Sequence, residues 1–133
     1  TAFPIYGYVR ATLDIDIFIR PTRQNALRTM KALRDFGYVL YDVDVDDMLS
    51  KKILFRQYAV EADIHPFVKG VTFEDVWKNK ISEKIGRVSV YFASLEDLIK
   101  MKKAANRPKD REDLKFLMRI KKRKKTGVKK NEK

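Results

Sequence analysis

The sequence contains no cysteine and a single histidine, His65. The first absence excludes disulfide scaffolds, zinc ribbons and thiol nucleophiles, and the second excludes a site built from several imidazoles. Carboxylates remain as the metal ligands in supply. Five glycines, at positions 7, 37, 70, 86 and 127, are too scattered for a phosphate-cradling P-loop or a G-x-G-x-x-G turn. No apolar run approaches the roughly 18 residues a membrane span needs, and Thr1 to Val9 lacks the basic head and long apolar stretch of a signal peptide. A soluble cytoplasmic protein with no membrane association is expected.

The 133 residues are 44% apolar, 36% charged and 11% aromatic, enough for one domain with a real core. The net charge is +12. Residues 119–133 hold nine Lys/Arg against one acid, Glu132, so most of the excess sits at the C-terminus. The expected organisation is a domain over 1–118 followed by a basic tail over 119–133. Such a run of like charge reads either as a solvated end or as a contact for nucleic-acid phosphates.

The stretch Leu13 to Arg20 alternates, with Leu13, Ile15, Ile17 and Ile19 facing a core and Asp14, Asp16 and Phe18 facing away, which predicts a strand. Thr22 is an N-cap for a helix carrying Ala26, Leu27, Met30, Leu33 and Phe36 on its inner face, and Gly37 stops it. Alternation from Tyr38 to Val45 predicts a second strand. The acids Asp42, Asp44, Asp46 and Asp47 lack the glycine and bidentate glutamate of a calcium loop, so they read as a solvated strand face leading into a loop. Residues 52–57 and 59–67 read as two further strands, and antiparallel pairing is expected among residues 38–67. On the second of these, Val60, Ala62 and Ile64 face one way and Glu61, Asp63 and His65 the other. Thr72 and Asp75 open a short helix through Val76 and Trp77. Arg87 to Phe92 reads as a last strand. Ser94 and Asp97 cap a helix LEDLIKMKKAA, and Pro108 starts a final helix with Leu114, Leu117 and Met118 inward. This mixture is an α+β fold, with a mixed or antiparallel sheet flanked by helices and a helical C-terminal segment.

Asp14 and Asp16 stand two apart on one strand, and Asp63 stands on another. Residues i and i+2 of a strand project from one face, roughly 6–7 Å apart, so such a pair can hold a hard divalent cation. By itself D-x-D is also what a half-exposed strand shows to solvent.

The surrounding residues add to this. Gly7, Arg10-Ala-Thr12, Asp14-Ile-Asp16, Pro21-Thr22 and Asn25, Phe36-Gly37, Val60-Glu61-Ala62-Asp63, Gly70, Phe73-Glu74 and SLEDLIKMKKAANRPKDREDLKFL at 94–117 follow one another in order. Together, over most of residues 2–118, they resemble small prokaryotic nucleotidyltransferases of the DNA polymerase β superfamily, of the antitoxin and abortive-infection types. The resemblance implies a nucleotidyltransferase fold in which Asp14, Asp16 and Asp63 ligate Mg²⁺ or Mn²⁺. Asp63 would help deprotonate an acceptor hydroxyl as it attacks the α-phosphate of an NTP, with pyrophosphate leaving. It also implies a Gly-Gly or Gly-Ser turn ahead of the first aspartate. No such pair occurs in the chain, and the spacing puts it immediately before Thr1, so a phosphate-gripping turn is expected to be missing there.

Arg10 and Thr12 lead into the metal strand and can reach a phosphate, or Arg10 can pair with a surface acid. Lys102 and Arg107 either steer the triphosphate or pair with Asp110 or Asp113. His65, two residues beyond Asp63, is a substrate contact or a bystander. Phe73 and Trp77 read as core before they read as a base-stacking platform, and Tyr6 and Tyr8 are candidates to stack on a base. The expected activity is metal-dependent transfer of a nucleoside monophosphate to a hydroxyl of RNA, protein or a small molecule. Two alternatives stand beside it: a non-catalytic nucleotidyltransferase-like partner in a toxin–antitoxin pair, and a nucleic-acid-binding module acting through its basic tail.

Overall fold

Alternating side chains, helix caps and a few tight turns set out the architecture in the computed structural model, which describes residues 14–55 and 61–125, with the side chains of Asp14 and Lys125 excepted. The fold is α+β. The chain divides into two units: Arg10–Val68 with Thr72–Glu74, and Lys69–Val71 with Asp75 onward.

In the first unit, β1 (Asp14–Phe18), β2 (Ile53–Phe55) and β3 (Glu61–His65) form a sheet in the order β1-β3-β2. β3 runs parallel to β1 and antiparallel to β2. The antiparallel pairing expected within residues 38–67 is therefore present. As the central strand, β3 is covered on both faces, and Ala62, Asp63 and Ile64 are all buried. Between β1 and β2 lie α1 (Arg23–Phe36) and α2 (Val45–Ser50). Thr22 caps α1, its hydroxyl accepting from the Asn25 N–H. Gly37 ends it at φ 114°, a conformation that strains any residue with a Cβ, and donates to the carbonyls of Leu33 and Arg34. Spacing i, i+4, i+7 turns Ala26, Met30 and Leu33 into a core with Ile19, Tyr38, Met48, Phe55, Ala62 and Ile64.

Two expectations fail here. Residues 38–45 form no strand. The Tyr38 N–H donates to the Leu33 carbonyl as part of the helix end, and Asp44 caps α2 in a reciprocal box with Asp47. The acids at 44, 46 and 47 thus belong to the first turn of a helix, where the macrodipole favours negative charge. The Asp47 carboxyl lies below the usual range, chiefly because the Asp44 backbone N–H donates to it. The second failure concerns Ile15 and Ile17, expected in the core but 43% and 38% exposed. With Leu33, Phe36, Tyr38 and Ile64 they line an apolar cavity of about 410 Å³. Leu27 and Phe36 are likewise exposed.

In the second unit, β4 (Ile81–Ile85) and β5 (Val88–Phe92) pair as an antiparallel hairpin. β5 corresponds to the strand expected at Arg87 to Phe92, whereas β4 is an addition to the expected elements. Its signal is the two-residue Gly86-Arg87 turn, with Gly86 at φ 65°, between two short alternating runs. A short helix, α3 (Phe73–Lys78), whose first two residues belong to the first unit, precedes the hairpin; α4 (Leu95–Ala105) and α5 (Pro108–Lys125) follow it. Ser94 caps α4 by accepting from the Asp97 N–H, and Asn106, at φ 51°, ends it. Leu95 and Ile99 pack with Leu117 and Ile120. Met118, expected inside, is 40% exposed, and Ile120 takes the inward position. The boundary expected at residue 118 falls inside α5, which carries helix seven residues further. Residues 126–133 lie outside the described residues. Among the described residues no helix is long and apolar enough to cross a membrane.

Candidate active site

Every second residue of a strand projects to the same side, so the parallel register of β1 and β3 decides which side chains meet. It sets Asp16 beside Asp63 and Phe18 beside His65. One carboxylate oxygen from each of Asp16 and Asp63 and one ring nitrogen of His65 lie within 4.8 Å of one another. His65 Nε2 is 3.0 Å from Asp16 Oδ1, and the His65 carbonyl accepts from the Ile19 N–H at 3.1 Å, which fixes the strand end beneath the cluster. Exposure is graded across the group: Asp63 is buried, the His65 side chain is 20% exposed and that of Asp16 49%. Two carboxylates this close repel each other, and a cation between them reverses the sign of that interaction. The donor set of two carboxylates and one imidazole therefore fits a divalent metal that also takes oxygen ligands from a substrate.

The structure brings Asp16, Asp63 and His65 together. Asp14 occupies the position two before Asp16, in register with Glu61, and its side chain lies outside the described residues. Arg10, Thr12, Tyr6, Tyr8 and Val60 also lie outside them. Lys102 and Arg107 belong to the second unit, within an ion-pair cluster. Lys102 Nζ lies 3.3 Å from Asp110 Oδ1 and 3.2 Å from Asp113 Oδ2, and Arg107 binds Asp110 through its side chain and its backbone N–H. Burial alone would raise the Asp110 carboxyl. The Arg107 hydrogen bonds and the charges of Lys102 and Arg107 outweigh it and hold the group at about 2.

Beside the carboxylates stands Arg20, which no motif in the sequence marks. Phe73 meets Phe18 edge to face, with ring centres 5.3 Å apart. The Arg20 guanidinium lies 5.1 Å from the Phe73 ring centre and donates to Glu74 at 2.9 Å. Phe18 shares its strand face with Asp16, so this aromatic and ionic group borders the carboxylates. Its members stand 54 positions apart, which hides the arrangement until the topology is known.

A family profile described as nucleotidyltransferase of unknown function (DUF6036) matches residues 1–122. The chain belongs to this nucleotidyltransferase family. Comparison with curated proteins and with solved structures gives no match. As a member of the nucleotidyltransferase family, the chain carries Asp16, Asp63 and His65 inside the matched region, along with α4 and most of α5.

Proposed function

We propose that this nucleotidyltransferase domain transfers a nucleoside monophosphate from an NTP to a hydroxyl acceptor on RNA, protein or a small molecule, in the manner of the DNA polymerase β superfamily. The observation that carries the reading is the meeting of Asp16 and Asp63 across the parallel β1–β3 pair, with His65 at the same spot. Asp16 and Asp63, with Asp14 as a third candidate, would hold Mg²⁺ or Mn²⁺. The ion, when bound, supplies charge neutralisation for the triphosphate and acidifies the attacking hydroxyl.

The protein groups divide the remaining work. Asp63, the buried carboxylate, accepts the proton of the acceptor hydroxyl as its oxygen bonds to the α-phosphorus. The bond from that phosphorus to the bridging oxygen breaks, and pyrophosphate leaves with the electron pair. Asp16, at the exposed side, faces the incoming nucleotide. His65 holds the Asp16 carboxylate through Nε2 and so orients it. Arg10 and Thr12 remain candidates for the phosphates. The proposal places the reaction in the cytoplasm, where an NTP donor is in supply.

The test is transfer of label from an α-labelled NTP onto cellular RNA or protein, with and without Mg²⁺. Replacing Asp16 and Asp63 by Asn is expected to lower transfer by at least about 100-fold while the circular dichroism spectrum stays unchanged. Equal labelling by the double variant overturns the assignment.

A further inference from the structure

Charge is divided unequally between the two units. Among the described residues the first contains seven Lys/Arg and ten Asp/Glu, and the second 18 Lys/Arg and seven Asp/Glu. Among these residues the net positive charge therefore belongs to the second unit. Three of its acids, Asp97, Asp110 and Asp113, are buried and pair with Lys100, Lys102 and Arg107, which leaves the other cations of the unit to set its surface.

On that unit two aromatic rings are exposed together. Trp77 and Tyr91 are 38% and 50% exposed, and their rings meet edge to face at 5.1 Å. The Lys80 ammonium lies 4.1 Å from the Trp77 ring centre and 5.5 Å from that of Tyr91. It donates to the Trp77 carbonyl at 3.2 Å, and an ammonium has three N–H donors in all. The hairpin register extends this patch. Ser82 pairs with Tyr91 and Lys84 with Ser89, so these four residues share one face, while Ile81, Ile85, Val88, Val90 and Phe92 with Glu83 occupy the other. The Tyr91 face is thus hydroxylated, cationic and aromatic. Lys78 and Arg87 are exposed on the same α3–hairpin segment.

We propose that this face binds single-stranded nucleic acid, with an unpaired base stacking on the Tyr91–Trp77 pair and backbone phosphates held by Lys80 and Lys84. Stacking accepts any base, and lysines beside the rings can take the phosphates that flank a stacked base. A duplex keeps its bases away from such rings, and an acidic polypeptide offers them no π-face. The proposal is independent of catalysis, and binding requires neither metal nor NTP.

Trp77 is the sole tryptophan, so it reports on its own site. The full chain is titrated with a 12-mer of oligouridylate, a duplex of the same length and polyglutamate, following both tryptophan emission and anisotropy of a labelled strand. The single strand is expected to quench Trp77 and to bind most tightly. Tyr91→Ala is expected to weaken it about 5- to 150-fold, and Tyr91→Phe, which keeps the ring, to bind like the parent chain. Lys84→Gln should weaken binding and lower the slope of log affinity against log salt by about one. Binding seen by anisotropy without quenching, equal affinity for polyglutamate or duplex, or unchanged affinity in a folded Tyr91→Ala overturns the proposal.

Discussion

The two units spend their charges in opposite ways. In the first, carboxylates from two strands are gathered at one spot, Asp16 against Asp63, with His65 beside them. In the second, the buried acids Asp110 and Asp113 are matched by Lys102 and Arg107, and the surplus cations face outward. Like charges brought together at one place and opposite charges paired at the other are different physical statements. Charge pairing between α4 and α5 serves the packing of two helices, whereas two carboxylates at one spot repel each other and mark a candidate site.

The contrast can be broken most directly at the carboxylates. Asn at both Asp16 and Asp63 should remove label transfer, about 100-fold or more, yet leave oligouridylate binding to the second unit within a factor of two; loss of both would merge the two units into one function. Next in size is Asp110→Ala, which leaves Lys102 and Arg107 short of a partner and should cost about 3 kcal/mol in urea unfolding. The same truncation at the exposed i,i+4 partner Asp35 should cost less than about 0.5 kcal/mol. Acid sharpens this further. Because the folded Asp110 carboxyl is held at about 2, below its unfolded value of 3.8, its contribution is complete above about pH 4 and lost as the pH falls toward 2. Acid unfolding followed by Trp77 emission should show that loss, and Asp110→Asn should flatten it.

A smaller effect is expected at His65. Its replacement by Ala should weaken Mn²⁺ binding about 10- to 100-fold, measured by calorimetry, without changing the urea midpoint appreciably. The smallest separates local from global stability in the first unit. Thr22→Ala removes the α1 cap and should cost about 1 kcal/mol, with label transfer intact in the folded fraction.

Local chemistry made some elements legible. Thr22, Gly37, Ser94 and Pro108 marked helix ends because each satisfies a backbone requirement within a few residues. The same locality misled at residues 38–45, where alternation competed with a capping box and the box prevailed. Ile15 and Ile17 were misplaced because alternation assigns faces and says nothing of which face is covered. Trp77, read as core from its position on a short helix, is instead exposed beside Tyr91, a residue on the hairpin whose first strand went unrecognised. Asp14, Asp16 and Asp63 were readable as separate signals, but the register that sets Asp16 beside Asp63 is a long-range property. His65 was weighed as a bystander or a substrate contact, and only the β1–β3 pairing placed its ring against Asp16.

That pairing also governs time. His65 and Asp16 are 49 positions apart, and a parallel pair has no turn to bring its strands together. Closing so long a loop adds little to the equilibrium cost, since the entropy grows only with the logarithm of length. It weighs instead on rate. A hairpin and two adjacent helices form from near neighbours, while the carboxylates meet only after α1, α2 and β2 have been laid between them. The second unit is built from near neighbours, whereas the candidate site of the first waits on a pairing between distant strands.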